Sequence, residues 1–211
     1  MLNSWDKLDD ESKKKFLKII EEQSNRLINL VENMLSVTKL QTAKNSVILK
    51  EISIRPVIDT ITSIVKNQYK DRKFNIEINP QTPAILADKD KFQQVMTNLI
   101  ENAAKYSEEN STIFIQAQPS KCTEFVSIRV TDTGIGIDEA DYEKIFNKFS
   151  RIDNPLTRKV QGSGLGLYIT KNLVEKMDGK ISVHSENNTT TFEVLIPSAD
   201  IERQARIKCK Q

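Results

Sequence analysis

Residues 131–137, Thr-Asp-Thr-Gly-Ile-Gly-Ile, set a carboxylate, Asp132, just before two glycines spaced by one residue, Gly134 and Gly136. Glycines at that spacing let the backbone take positive φ and let another molecule approach closely. A carboxylate beside such a turn can accept a hydrogen bond from an exocyclic amine, although the same residues also suit an ordinary Asp-Thr-Gly turn. Upstream, Asn98 and Asn102 are four apart with Lys105 a turn further on, so a helix would stack them on one face. A side-chain amide oxygen there can serve a magnesium ion carrying nucleotide phosphates, because that ion needs only one or two protein oxygens. The alternative is a solvated polar face on which Glu101 and Lys105 form an exposed pair worth about 0.3–0.5 kcal/mol. Downstream, Gly162-Ser163-Gly164-Leu165-Gly166-Leu167 opens a helical pattern, and the free amides of a helix start bind phosphate. It is neither the Gly-x-Gly-x-x-Gly of a dinucleotide site nor a Walker A loop, since no Gly-Lys-Ser/Thr follows.

Between the two glycine motifs, Tyr142, Ile145, Phe146 and Phe149 recur at helical spacing and predict a short amphipathic helix over 141–149 in a lid spanning 138–161. Asp153-Asn154-Pro155 then breaks any helix. Lys148, Arg151, Arg158 and Lys159 crowd cations into this segment, and a basic loop beside a phosphate site would neutralise a terminal phosphate. Arg151 is the favoured contact, with Lys148 next.

Asparagine helix, Asp-x-Gly-x-Gly turn, Phe-bearing lid and Gly-x-Gly-x-Gly helix start follow in one order at compact spacing. Together they resemble the N, G1, F and G2 boxes of the sensor histidine kinases. Those kinases share their nucleotide fold, the Bergerat fold of the GHKL superfamily, with gyrase, the heat-shock chaperone ATPases and the mismatch-repair ATPases. The resemblance runs from about Asp9 to Pro197. It implies ATP and Mg2+ as cofactors, with Asp132 reading the adenine amine, Gly134, Gly136 and Ile137 under the base, and Tyr106 as an aromatic wall. Asn102 is the implied magnesium ligand and Asn98 its companion, with Lys105 on phosphate. Gly162, Ser163, Gly164, Leu165, Gly166 and Leu167 are the implied phosphate turn, and Thr190, Lys148 and Arg151 complete the nucleotide contacts. Asn98, Lys105 and Arg151 are the implied catalytic set. The activity implied is transfer of the γ-phosphate to a histidine on the chain's own upstream histidine-box helix. Relay to an aspartate of a response-regulator receiver domain follows, in a homodimeric full-length protein.

Two departures bear on that expectation. The family's late hairpin carries glycines before its Thr-Phe, whereas this chain has Asn187-Asn188-Thr189-Thr190-Thr191-Phe192; asparagine tolerates left-handed turns, so the hairpin survives. The one histidine, His184, sits on a late strand as a structural residue, and no histidine box is present. Three rivals stand beside the kinase reading. They are a Ser/Thr protein kinase of the same fold, a non-catalytic nucleotide-binding interaction module, and an ATPase motor. The long N-terminal helix argues against the first, and the chain is short for the transducer domain the third needs.

The elements that would hold these residues follow from periodicity. Phe16 to Gln41 carries an apolar stripe too wide for a lone helix in water, which marks it as the second helix of a dimerisation hairpin in the resembling family. Residues 1–8 read as the loop after a missing first helix, and Thr42–Ser46 as a boundary. Strands are expected at 47–52, 74–78, 84–87, 112–118, 125–132, 180–185 and 190–196, with helices after Ser53, over 89–106 and over 163–177. The fold class is therefore α+β, a two-layer α/β sandwich with a mixed sheet preceded by a long helix. Its expected domains are 1–45, 46–198 and a charged tail, 199–211.

Composition narrows the partners. With Lys+Arg 31 against Asp+Glu 29 the net charge is +2, which gives no general case for nucleic acid or an anionic membrane. Cys122 and Cys209 are too few for a disulfide framework or a zinc site. With no apolar run long enough to cross a membrane, the segment is expected in the cytoplasm, free or as the cytoplasmic part of a membrane-bound sensor.

Overall fold

The computed structural model describes residues 8–41, 47–121, 124–151 and 162–200. The expected boundary at 42–46, Cys122 and Cys209, the Asp153-Asn154-Pro155 break, Arg158, Lys159 and most of the tail lie outside them. Two compact units are formed, Met1–Lys44 and Asn45–Gln211.

The first unit is α1, Asp10–Gln41. Asp9 precedes it and accepts from Ser12 N–H at 2.9 Å, satisfying one free amide of the first turn. Hydrogen bonding from Ser12 holds the Asp9 carboxyl below its usual range. Much of the apolar stripe of α1 is exposed: Phe16, Leu27, Val31, Met34 and Leu35 are 44–64% exposed, whereas Leu30 and Val37 are half-buried.

In the second unit the elements run β1 (Lys50–Ile52), α2 (Ile54–Gln68), β2 (Lys73–Ile78), β3 (Ile85–Ala87), α3 (Lys89–Tyr106), β4 (Thr112–Pro119), β5 (Phe125–Thr133), α4 (Gly166–Lys176), β6 (Lys180–Glu186) and β7 (Thr189–Pro197). Five strands form one mixed sheet in the order β2-β4-β5-β7-β6, with β2 and β4 parallel and the other pairs antiparallel. β1 and β3 make a separate antiparallel pair. α2 packs on α3 and α3 on α4, and the three lie against β2, β5 and β6. The result is the two-layer α/β sandwich expected.

Burial follows the alternation in the sequence. On β7 every second residue, Thr190, Phe192, Val194 and Ile196, is buried. On β5 Val126, Ile128, Val130 and Asp132 take the same inner face. α3 buries Phe92, Val95, Met96, Leu99, Ile100, Ala103 and Ala104 against that face, so truncating Leu99 to Ala would cost about 2–5 kcal/mol. Its start is fixed by Asp88, which accepts from Asp90 and Lys91 N–H with one oxygen and from Ile48 N–H with the other.

Three expectations need correction. Ile64 is 59% exposed rather than part of the α2 core. The α2 stripe passes instead through Ile54 and Thr62, whose hydroxyl is satisfied by the Ile58 carbonyl at 2.5 Å. α4 begins at Gly166, not Ser163, because Gly164 has φ +68, which a right-handed helix cannot contain. In place of a helix over 141–149 there are two single turns of 3-10 helix, Glu139–Asp141 and Lys144–Phe146. Phe149, with φ +60 and 62% exposure, is not on a buried face. The backbone is still right-handed helical at Tyr142 and Glu143 and turns extended at Asn147 (φ -79, ψ 155), while the Tyr142 hydroxyl is held by the backbone of Ser185 on β6. Asn187 and Asn188, at φ 49 and 61, both adopt the left-handed conformation that a two-residue hairpin between β6 and β7 requires.

Candidate functional site

β5 delivers Asp132 to the end of the inner sheet face, where it pairs in register with Thr190 of β7. The residue is 5% exposed, and among the described residues none hydrogen-bonds to its carboxylate. Burial pushes its pKa up to about 7. A buried carboxylate left without an internal donor is costly, and a ligand donor would relieve that cost.

The wall beside it is the end of α3. Gly134 bridges to Ser107, and a Cβ on Gly134 would run into the Tyr106 carbonyl, so only glycine lets the turn lie so close. Gly134 N–H also donates to Asn188 O at 2.8 Å, and Ile137 N–H to Ser185 Oγ at 3.0 Å. Arg72 secures the helix end: Nε donates to Ser107 Oγ (2.8 Å) and Ala104 O (3.2 Å), Nη2 to Ser107 O (2.9 Å), and Nη1 to Asp71. Burial raises the Tyr106 phenol above its usual range, opposed by the nearby charge of Arg151. The charge of the favoured lid cation therefore acts on the predicted wall.

The polar face of α3 continues the site. Lys105 Nζ lies 5.5 Å from the centre of the Tyr106 ring and would be 3.3 Å from a Cβ on Gly162. Glu101 is not the exposed partner of the alternative reading, since burial raises its carboxyl, with Lys105 opposing. Asn98 donates through Nδ2 to Thr170 Oγ1 at 2.8 Å, and its Oδ1 fills the space a Cβ on Gly166 would need. Asn102 is half-buried and makes no hydrogen bond to another described residue.

At the far side, α4 opens without a side-chain cap, so the amides at Gly166 and Leu167 stay available for an anion. Leu165 is buried at the helix boundary, Leu167 is half-buried, and Ser163 Oγ accepts from Leu165 N–H at 3.3 Å. Gly164 backs directly onto the start of the lid: a Cβ would lie 2.7 Å from Phe149 C and 2.9 Å from Ser150 O. Lys148 stacks its ammonium 5.0 Å from the Tyr168 ring centre, and Phe146 meets Phe192 edge-on at 6.4 Å.

The structure thus brings Asp132 and Gly134 to Tyr106, Gly162 to Lys105 and Tyr106, and Gly166 to Asn98, all along residues 98–106 of α3, and links Gly136 and Ile137 to Thr190 through Ser185. His184 stays apart, its side chain 73% exposed on the opposite face beside Arg129 and Thr191. It is therefore not packed in the core. Three residues escaped the sequence reading: Ser185, Thr170 and the hydroxyl of Tyr142. Ser185 could have been found, since a two-residue turn at 187–188 puts it opposite Thr190. Nothing local marks Thr170, which meets Asn98 across 72 residues of chain.

Residues 87–200 match the profile described as "Histidine kinase-, DNA gyrase B-, and HSP90-like ATPase". The signal transduction histidine-protein kinase ArlS of Staphylococcus haemolyticus is 32% identical over 196 residues, covering 92% of this chain and 43% of ArlS. The sensor protein kinase WalK of Staphylococcus epidermidis is 34% identical over 195 residues, covering 92% of this chain and 32% of WalK. The chain spans less than half the length of these relatives. Among solved structures, the catalytic domain of histidine kinase ThkA superposes with a TM-score of 0.63 at 26% identity, over 72% of this chain and 96% of that one. ThkA in complex with the response regulator protein TrrA gives 0.73 at 25% identity, over 91% and 53%. On this profile match and these identities, the chain belongs to the histidine kinase-, DNA gyrase B- and HSP90-like ATPase family, and residues 87–200 carry its ATP-binding domain.

Proposed function

We propose that this chain is the Mg·ATP-binding catalytic part of a sensor histidine kinase. It passes the γ-phosphate to a histidine outside this segment, for relay to a response-regulator aspartate. The observation that carries the reading is Asp132, a buried residue whose carboxylate has no described hydrogen-bond partner, together with a start of α4 that no side chain caps. Base, phosphates and lid then have separate stations. Asp132 and Thr190 hold the base beside Tyr106, the Gly162–Leu167 turn and Lys105 hold phosphate, and Arg151 with Lys148 meets the terminal phosphate from the lid. Asn102, with Asn98 tied back to Thr170, completes the polar face.

The donor set fits Mg2+ held mainly by phosphates. Asn102 offers an amide oxygen, and among the described residues no group of three or more His, Cys, Asp or Glu is placed to hold a metal ion. When bound, that ion would neutralise charge on the phosphates. The protein's own work is positioning: the Arg72 clamp fixes the α3 end, and Gly164 lets the lid lie on the phosphate turn. The exposed apolar face of α1 supports its assignment to the dimerisation hairpin, with a homodimer as the whole protein's state.

The test exploits His184, the only histidine, which faces away from the nucleotide pocket. Incubated alone with labelled Mg·ATP, the chain should acquire no acid-labile phosphate. A separate dimeric fragment bearing a histidine box should become labelled, and the labelling should depend on Asp132 and Asn102. Phosphohistidine at His184, abolished by His184→Gln, would overturn the reading.

A further inference from the structure

Ser185 stands one strand beyond the pair Asp132 and Thr190, and the fold fixes it from three sides. Its N–H donates to the Tyr142 hydroxyl at 2.5 Å, and its carbonyl accepts from that hydroxyl at 3.0 Å. Its own hydroxyl oxygen accepts from Ile137 N–H at 3.0 Å and lies 3.1 Å from Thr190 Oγ1. A Cβ on Gly136 would lie 3.4 Å from the same oxygen, in van der Waals contact with it.

One direction of the Ser185–Thr190 bond places every proton. Each hydroxyl has a single hydrogen to give. Ile137 is a donor, so among the described residues Thr190 Oγ1 is the one acceptor for the Ser185 hydrogen. Were Thr190 the donor, the Ser185 hydrogen would have no acceptor among the described residues, and only water could take it. With Ser185 donating, the chain runs from Ile137 N–H through Ser185 to Thr190, and the Thr190 hydrogen is free to point away from β6. Thr190 is 4% exposed and sits directly opposite Asp132 on the inner face, so that hydrogen is free to turn toward a ligand beside the Asp132 carboxylate. The pocket then presents a donor beside an acceptor. Adenine's pairing edge is the complement, since N1 accepts and the 6-amino group donates, whereas guanine offers the reverse.

We propose that Ser185 is a specificity-determining positioning residue, orienting the Thr190 hydroxyl to donate toward purine N1 while Asp132 accepts from the 6-amino group. This rests on the adenine-nucleotide reading above and deepens it.

The test uses the whole chain and three probes: ATP, 1-deaza-ATP, which lacks the N1 acceptor, and purine riboside triphosphate, which lacks the 6-amino group. Wild type should bind 1-deaza-ATP about tenfold more weakly than ATP, the scale of one buried hydrogen bond. In Ser185→Ala that ratio should shrink to about two- to threefold, because the Thr190 hydroxyl can now turn either way. Thr190→Val should bring it to about one. Ser185→Cys keeps the volume while weakening the donor, and makes the same comparison if the alanine variant melts early. An equal loss for all three probes in both Ser185 variants would show a brace for the Ile137 turn and overturn the proposal. Purine riboside triphosphate reports separately on Asp132. If wild type binds it as well as ATP, the amine reading fails, and the N1 ratio still decides the role of Ser185.

Discussion

Two carboxylates on the adjacent strands β5 and β7 meet opposite fates. Asp132 lies on the inner face, buried, with no described hydrogen-bond partner, and burial carries its pKa to about 7. Glu193 lies on the outer face. Burial alone would raise it too, but hydrogen bonds from Ser127 at 2.6 Å and Arg129 at 3.0 Å, with the Arg129 charge, hold it below its usual range. Cross-strand neighbours serve one and leave the other open. Polar groups satisfied within the chain hold the sheet, and the group left wanting marks where a ligand belongs.

The comparison breaks if removing either carboxylate has the same effect. Asp132→Ala should weaken ATP about 10- to 150-fold, the scale of a charged hydrogen bond of roughly 1.5–3 kcal/mol shielded from water. It should also relax discrimination against GTP. Glu193→Ala should leave affinity unchanged. Titrating a fluorescent ATP analogue into both folded variants decides it, and an unaltered affinity in Asp132→Ala would end the base assignment.

Acidity sharpens the same contrast. An Asp132 titrating near 7 is mostly neutral at pH 6 and mostly ionised at pH 8. If the amine binds only the ionised form, ATP affinity should rise about tenfold across that interval, with proton release. Asp132→Asn should flatten the profile. The effect on stability has the opposite sense. The folded protein binds the proton more tightly than the unfolded chain, whose carboxyl has the model value 3.8, so stability is present below about 4 and lost as pH rises towards 7. Replacing the charge by Asn should therefore stabilise at pH 8 more than at pH 5, by about 1–3 kcal/mol. Thermal melts at the two pH values give the sign, and an Asn variant equally stabilised at both would remove the buried-charge account.

The two asparagines of α3 repeat the contrast at lower stakes. Asn98 is tied to Thr170, whereas Asn102 has no described partner. Asn102→Ala should lower ATP affinity in magnesium by about tenfold or less, with little change for ADP without metal and little loss of stability. Asn98→Ala should cost about 1 kcal/mol in stability through the lost bond to Thr170, with or without nucleotide. Equal losses with and without magnesium at Asn102 would make it structural.

Local rules carried the fold a long way. α3 was expected at 89–106 and spans Lys89–Tyr106, because capping by Asp88, apolar period and end signals agree there. Spacing alone suggests a helix over 141–149, but the backbone turns extended at Asn147 and left-handed at Phe149, which the apolar period does not signal. α4 was begun too early because a glycine-rich stretch reads the same whether or not one glycine turns left-handed. In the site, residues with a motif were found, and those defined by a cross-strand or interhelical partner, Ser185 and Thr170, were not.

The smallest expected effect lies on the outer face, and its size is what makes it informative. Arg129 and Glu193 sit directly opposite in register, at 3.0 Å, with side chains 42% and 31% exposed. Water competes for both, so the pair should contribute only about 0.2–1 kcal/mol, less at high salt. Its sign with pH is opposite to that of Asp132: a carboxyl held low in the folded state contributes above the unfolded value, 4.5, and loses that contribution as pH falls below it. Arg129→Ala should lower the melting temperature by at most a few degrees at neutral pH and by less at pH 3, where Glu193 is protonated in more of the folded molecules. A double-mutant cycle with Glu193→Gln isolates the pair from the Ser127 bond, which Gln can keep. Nucleotide affinity should stay level throughout. A coupling well above 1 kcal/mol, or a change in ATP binding on cutting this pair, would mean that the outer face communicates with the pocket. The division between a satisfied face and an open one would then not hold.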